Sequence, residues 1–340
     1  MNPVIHSALA LWISPGALGP QSALDPAANA ARITAGLMRD FTILLGIIFL
    51  IVIGIAIASL MRRHRGIEQE PLESKHAPSP QTERRLGRIV GAASVVTTVI
   101  LLALITISVS AGKALSDRAI PANALTIEVT GNQWWWFIRY LNDDASQIIV
   151  TANEIHIPVG RPVMIRGTSQ DVIHSFWVPG LSGKRDLIPS RITTEWFQAE
   201  RPGRYRGQCA EFCGLQHAHM ALWVVAEDEK SFDAWRSAQL QDAVEPATPS
   251  QQLGQQVFLS TACAICHSIR GTSAHGQVAP DLTHVASRLT IAAGTLPTNR
   301  GNLAGWISDP QTIKPGNHMA TIPLRSDQLQ PLLDYMEILR

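Results

Sequence analysis

Two apolar runs, Phe41 to Met61 and Ile89 to Ala111, constrain the architecture of this chain more than any other feature of its 340 residues. Each is about 20 residues long, enough for a helix to cross a hydrocarbon core of ~30 Å. Both exceed the usual length of a core helix and neither has a polar face, which argues against burial inside a soluble domain. The stretch between them holds Arg62, Arg63, Arg65, Lys75, Arg84, Arg85 and Arg88, whereas the outer flanks carry far fewer basic residues. The positive-inside rule therefore predicts a hairpin over 37–115 with the loop in the cytoplasm and both flanks outside. Residues 1–36 form an N-terminal segment in which Val4 to Ile13 could serve as a short signal-peptide core. No basic n-region precedes it, and Pro15 and Gly16 follow. A formal net charge of +1 gives no reason to expect nucleic-acid binding.

All four cysteines fall into two short motifs. In Cys209-Ala-Glu-Phe-Cys213-Gly-Leu-Gln-His217-Ala-His-Met220, two thiols, an imidazole and a thioether share one loop, a donor set suited to copper, zinc or iron-sulfur centres. Thiolates four apart can bridge two metal ions, leaving His217 and Met220 as terminal ligands on different ions. A second imidazole is on offer from His174, in Asp171-Val-Ile-His174-Ser-Phe-Trp-Val-Pro179. A structural zinc site or a Cys209–Cys213 disulfide is the plainer alternative, but it leaves Met220 and the remote His174 without a role. The second motif, Cys263-Ala-Ile-Cys266-His267, is the pattern for covalent haem c attachment, with His267 placed to ligate the iron. Half of a zinc site or a redox pair would also use C-x-x-C, although no further cysteine pair remains to complete zinc.

The His174 segment and the Cys209–Met220 loop resemble the dinuclear copper site of cytochrome c oxidase subunit II. The resemblance implies two coppers bridged by Cys209 and Cys213, one histidine on each (His174 and His217), and weak outer ligands from Met220 and the backbone carbonyl of Glu211. It also implies a magnesium ion held in part by the Glu211 carboxylate at the interface with the catalytic subunit, since magnesium takes few protein carboxylates and keeps its waters. The C-terminal motif resembles a class I cytochrome c. Lys314-Pro-Gly-Asn-His-Met319 matches the loop that supplies the axial methionine there, so Cys263 and Cys266 would carry the haem and His267 and Met319 would ligate it. His318 and Met336 are competing sixth ligands. Pro280-Asp-Leu-Thr, preceded by Gly276, fits the turn on the proximal side of the haem. Histidine and methionine ligation suits an electron carrier.

The pattern along the chain agrees with a multidomain fold. From about residue 121, Leu125–Thr130, Glu154–Ile157, Pro162–Arg166, Thr193–Phe197 and Met220–Val225 alternate like strands between Gly and Pro turns, as in a sandwich or Greek-key barrel. The expected organisation is a two-helix transmembrane hairpin, an all-β cupredoxin Greek-key domain over 116–230, a linker over 231–250 and an all-α class I cytochrome c domain over 251–340. The linker ends in Val244-Glu-Pro-Ala-Thr-Pro-Ser250, a composition typical of exposed connections.

Taken together, the resemblance implies subunit II of a caa-type haem-copper oxidase in a bacterial inner membrane, with the copper and haem domains on the periplasmic side. Its partners would be the catalytic subunit I, subunit III, membrane lipid, and an external electron donor such as a cytochrome c or a quinol-cytochrome c reductase. Electrons would pass from haem c to copper and on to haem in subunit I, where oxygen becomes water with proton translocation. The chain itself shows no acid, base or nucleophile arrangement for that last step. Trp134, Trp135 and Trp136 resemble the aromatic segment through which the family receives electrons, with Trp135 or its immediate neighbours as the expected entry point, while a strand that buries alternate indoles and exposes the middle one would give the same run. Gly183-Lys-Arg185-Asp186-Leu-Ile-Pro-Ser-Arg191 looks like the loop that faces the partner's haem propionates, or else a solvated charged turn. One departure is Glu83. Family members often follow a glutamate at this point with Trp-Thr, but here Arg84, Arg85 and Leu86 follow, and no proton-uptake role is assigned to it. His6, His64, His76, His156, His219, His275 and His284 read as surface or packing residues.

Overall fold

The computed structural model describes residues 19–65, 79–116 and 119–340. The readings made for Val4 to Ile13, His6, Lys75 and His76 lie outside the described residues. The chain divides into two compact units, Ile33–Ala119 and a second made of the remainder.

The first unit consists largely of two 37-residue helices, α1 (Asn29–Arg65) and α2 (Pro80–Ser116). Both are long and apolar enough to cross a membrane, with mean hydropathy 3.1 and 2.4 over their apolar windows and none of either window buried in protein. Leucine, isoleucine and valine cover their surfaces, as at Ile47, Leu50, Val95 and Leu102. Water would not tolerate an apolar surface of that extent, whereas lipid would. Several hydroxyls along the helices are satisfied internally: Thr42, Thr98, Thr106 and Ser110 each donate to the carbonyl four residues earlier. The helices run past the apolar stretches at both ends because nothing in the polar flanks breaks them. Pro80 starts α2, where a missing N–H costs nothing.

The second unit opens with a β-sandwich. Its strands are β1 (Leu125–Asn132), β2 (Trp135–Tyr140), β3 (Ile149–Ala152), β4 (Glu154–Pro158), β5 (Val163–Ser169), β6 (His174–Trp177), β7 (Arg185–Leu187), β8 (Thr193–Phe197), β9 (Gly203–Cys209) and β10 (Ala221–Glu227). They form two five-stranded sheets, in the orders β3-β2-β1-β5-β8 and β4-β10-β9-β6-β7. The β1–β5 and β4–β10 pairs are parallel. Alternation puts Ile127 and Val129 of β1, Ile138 of β2, Ile165 of β5 and Leu222 and Val224 of β10 into the shared core. The tryptophan run follows the same rule: Trp134 and Trp136 are buried and Trp135, between them, is half-buried. The all-β expectation thus holds, with strands β2, β3, β6, β7 and β9 added to the five legible in sequence.

Helix α3 (Glu229–Gln239) follows, capped by the Asp228 carboxylate, which accepts from the Ser231 N–H. Only the later part of the expected linker is irregular. It ends at α4 (Pro249–Ser260), whose start carries a capping box of Thr248 and Gln251. Then come α5 (Cys263–Cys266), a small hairpin of β11 (Thr290–Ile291) and β12 (Leu296–Pro297), α6 (Arg300–Ser308), α7 (Pro310–Ile313) and α8 (Ser326–Met336). Their core contains Val257 and Phe258 of α4, Leu303 of α6 and Leu332, Leu333, Tyr335 and Met336 of α8. A helical C-terminal region is as expected.

Candidate metal centre

Three separate pieces of the sandwich end at one place. Strand β6 begins with His174, β9 ends with Cys209, and the loop from Cys209 to β10 carries Cys213, His217 and Met220. Pairing of Phe176 with Cys209 aligns the first two. The loop is pinned at both ends, by the Cys209 N–H to the Met220 carbonyl (2.9 Å) and the Ala210 N–H to the Ser175 carbonyl (2.9 Å).

The donor atoms of His174, Cys209 and Cys213 all lie within 4.8 Å of one another. His174 Nδ1 is 3.8 Å from Cys209 Sγ, and His217 Nδ1 is 3.6 Å from Cys213 Sγ. Met220 Sδ is 3.9 Å from Cys213 Sγ, and the Glu211 carbonyl oxygen is 3.1 Å from Cys209 Sγ. His174, Cys209, Cys213 and Met220 are essentially excluded from solvent. The other four donors proposed from sequence for copper therefore each lie beside one of the two cysteine sulfurs. The Glu211 carboxylate points away from it, toward Lys184 Nζ at 3.4 Å.

Electrostatics follow from this crowding. The two thiols hydrogen-bond to each other, which holds Cys209 far below the usual thiol range and pushes Cys213 up. Burial pushes His174 down, but its hydrogen bonds to Cys209 and to Asp171 outweigh that and leave it raised. A buried thiolate beside imidazole and thioether is a soft set that fits copper.

Residues that the sequence did not assign to the metal site orient these donors. Asp171 Oδ1 lies 2.7 Å from His174 Nε2, which leaves Nδ1 facing the sulfurs. Asp171 also accepts from the backbone N–H of Gln133 at 2.7 Å. The side chains of Gln133 and Trp134 both donate to the Cys213 carbonyl, at 2.8 and 2.9 Å. A Cβ on Gly131 would come within 2.6 Å of the His174 ring, so only glycine permits the close approach. Asp171 lies in the quoted His174 motif, but nothing in one sequence distinguishes it from any other loop aspartate.

Of the tryptophans, Trp136 packs edge-on against His174 and Phe176 in the core. Trp134 spans from the Cys213 carbonyl to the ring of His318, whose centroid is 5.9 Å away. Trp135 lies near Phe137 instead. Arg185 and Arg191 are exposed, and Asp186 is kept below its ordinary range by Lys184.

In the C-terminal region Cys263 and Cys266 sit on the single turn α5, and His267 follows it. His267 Nδ1 is 2.7 Å from the Pro280 carbonyl, so Nδ1 carries the proton and Nε2 is left as the metal-binding nitrogen. Burial lowers its pKa, which keeps the ring neutral. The neighbouring cysteine thiols and a neutral imidazole fit a covalently held haem. Arg288, whose charge bears on the His267 ring, has a buried Nε with no partner among the described residues. Met319 is half-buried at the end of a loop shaped by Gln311, which donates to the carbonyls of Asn317 and Met319 at 2.9 Å each. Met336 instead packs in the helical core.

Comparison with known proteins agrees with both regions. Residues 140–227 match the family described as cytochrome c oxidase subunit II, periplasmic domain, and residues 251–340 match the cytochrome c family. The chain is 36% identical over 225 residues to cytochrome c oxidase subunit 2 of Alkalihalophilus pseudofirmus, covering 66% of this chain and 64% of that protein. It is 31% identical over 241 residues to the subunit 2 of Bacillus sp. PS3, covering 67% of this chain and 66% of that one. The match to the first of these thus spans a little under two thirds of its length. Among solved structures, it is similar to the periplasmic domain of subunit II of cytochrome oxidase from Bradyrhizobium japonicum, at 31% identity and TM-score 0.33, covering 36% of this chain and 96% of that one. Residues 140–227 belong to the periplasmic-domain family of cytochrome c oxidase subunit II, and residues 251–340 of the same chain to the cytochrome c family.

Proposed function

We propose that this chain is the electron-accepting subunit II of a membrane cytochrome c oxidase, with its own cytochrome c attached. It takes electrons from an external donor such as a cytochrome c or a quinol-cytochrome c reductase and delivers them through its copper domain to haem in subunit I. There oxygen is reduced to water with proton translocation, and subunit III completes the assembly. The observation that carries this reading is the gathering of His174, His217, Met220 and the Glu211 carbonyl around the buried sulfurs of Cys209 and Cys213, in a chain that also holds a C-x-x-C-H turn.

Copper held as a pair, and haem c, would supply one-electron carriers. The rest is the work of side chains. Cys209, Cys213, His174, His217 and Met220 would hold the copper, and their soft sulfur and imidazole donors suit it. Asp171 sets the direction of His174, while Gln133 and Trp134 hold the Cys213 carbonyl still. Anchoring ligands to a rigid sandwich keeps their geometry the same in both oxidation states, and so keeps the reorganisation cost of electron transfer low. In the cytochrome domain Cys263, Cys266, His267 and Met319 would hold the haem. Among Trp134, Trp135 and Trp136, contact with both the Cys213 carbonyl and the cytochrome region favours Trp134 as the point where electrons reach the copper domain. The outward-turned Glu211 carboxylate would contribute to a magnesium site shared with subunit I.

Residues 37–115 would anchor the chain in the bacterial inner membrane, with 116–230 (copper), 231–250 (linker) and 251–340 (haem) on the periplasmic side. The test is an electron paramagnetic resonance and optical spectrum of the purified full chain after copper and haem loading. A seven-line copper pattern beside a low-spin c-type haem supports the reading, and Cys213→Ser should abolish that pattern. A four-line single-copper signal, or a seven-line signal surviving in the serine variant, would overturn the bridged pair.

A further inference from the structure

Among the contacts between the β-sandwich and the cytochrome region, one side chain, Lys314, joins three separate segments. It is only 2% exposed, and no carboxylate pairs with it among the described residues. Its ammonium donates to the carbonyl oxygens of Trp134 (2.9 Å), His219 (2.9 Å) and Ala292 (3.3 Å). Three donors meet three acceptors, the full capacity of an ammonium group. Two of the acceptors belong to the sandwich, at the β1–β2 turn and in the loop carrying the proposed copper ligands. The third belongs to the turn between β11 and β12.

That turn has an unusual backbone. Ala292 and Ala293 have φ of 52° and 55°, and Gly294 follows at 78°. Consecutive alanines rarely adopt the left-handed region, and such conformations persist only where the surroundings impose them. Here they aim two carbonyls across the junction. Ala292 accepts from Lys314, and Ala293 accepts from the Ala221 N–H at 2.9 Å. At Gly294 an added Cβ would lie 2.7 Å from that of Ala221, so the turn sits directly against β10. Nearby, the Leu289 N–H donates to Glu154 Oε2 at 2.7 Å, and Gln216 Nε2 donates to the Pro315 carbonyl at 2.7 Å. The segment after α3 is attached as well, since the Ala243 N–H donates to the Arg270 carbonyl at 3.1 Å and Arg270 donates back to the Gln241 carbonyl at 2.7 Å.

We infer that Lys314 and the β11–β12 turn form a latch that keeps the cytochrome domain seated on the copper-loop face of the sandwich. The linker is then a short tether and not a swinging arm, and the seated domain closes the Trp134 face to soluble electron carriers. Burying an ammonium group is unfavourable unless every donor is satisfied, and these three acceptors come together only in the seated arrangement. The latch therefore selects one docked geometry. Its consequence for electron flow rests on the function proposed above, whereas the latch itself depends only on the contacts of this chain.

The experiment compares the loaded full chain in detergent with its Lys314→Met variant, by hydrogen-deuterium exchange and by the rate of haem-to-copper electron transfer after photoreduction. Loss of even one charge-assisted hydrogen bond should speed exchange of the Ala221 and Leu289 amides about tenfold or more, while amides within α4 and α8 keep their protection. The wild-type transfer rate should not change with added glycerol, and the variant's should fall as viscosity rises. Unchanged exchange at Ala221 and Leu289 in the variant would overturn the latch. So would loss of protection throughout α4 and α8, which would make Lys314 a folding residue, and so would a viscosity-dependent wild-type rate. Failure of the oxidase reading has a different signature: the copper or haem spectrum is missing while the contrast in exchange remains.

Discussion

Asp171 illustrates how much of the metal centre depends on side chains that would never touch metal. By taking His174 Nε2 it selects which ring nitrogen faces the sulfurs, and by accepting the Gln133 N–H it ties that choice to the β1–β2 turn. Asp171→Ala should therefore weaken copper binding by about 10- to 100-fold without unfolding the sandwich, as measured by competition with a chelator. Glu195 is a second residue with a readable environment. Its side chain receives the Ser182 hydroxyl at 2.8 Å on one oxygen, and the other oxygen is buried without a partner among the described residues. Burial pushes its pKa from 4.5 up to about 7. Because the folded state keeps the proton longer than the unfolded chain, the stability linked to this group is complete below pH 4.5 and is lost as the pH rises through about 7. An infrared band of a protonated carboxyl should disappear over that range and be absent in Glu195→Gln. The glutamine variant should also be more stable at pH 8, by an amount on the order of 1–3 kcal/mol.

At the scale of elements, close backbone approaches decide where the sites form. Helix α4 crosses α8 at Gly254, where an added Cβ would lie 2.0 Å from the Pro331 carbonyl oxygen. Neither backbone can yield without separating the helices that hold Phe258 against Tyr335. Gly254→Ala should destabilise the cytochrome region by about 1–3 kcal/mol or more, seen as lower haem retention and a lower melting temperature for the haem absorbance, with the copper spectrum unchanged. Gly131 in β1 is the counterpart in the sandwich, since it leaves room for the His174 ring. Neither glycine stands out in sequence, because the atoms that demand it come from elements 43 and 77 residues away, at His174 and Pro331.

For the whole molecule, the basic residues between the two apolar runs, at the facing ends of α1 and α2, set the expected orientation in the membrane. Cysteines introduced at Arg62 and at Arg84 in sealed cells should resist a membrane-impermeant thiol reagent, while one introduced at exposed Asp233 of α3 should react. The reverse pattern would place the sandwich in the cytoplasm and overturn the orientation proposed above.

The two apolar runs, the spacing of Cys209, Cys213, His217 and Met220, and the C-x-x-C-H turn were legible in the chain because each is a local pattern. Length against membrane thickness, donor chemistry at a fixed offset and alternation at period two need no knowledge of what lies elsewhere. Strands β6 and β7 were not legible, since segments of four and three residues carry too little periodicity to stand out. The setting of His174 by Asp171 and Gly131, the direction in which Glu211 points and the contact of Trp134 with His318 were decided only by the fold. So was the position of Lys314, an ordinary lysine in sequence, beneath the carbonyls of Trp134, His219 and Ala292. Local patterns determine which groups the protein can offer to metal, haem and lipid. Only long-range packing determines which backbone oxygens and side chains close around them, because those partners are brought together by sheet register and domain contact.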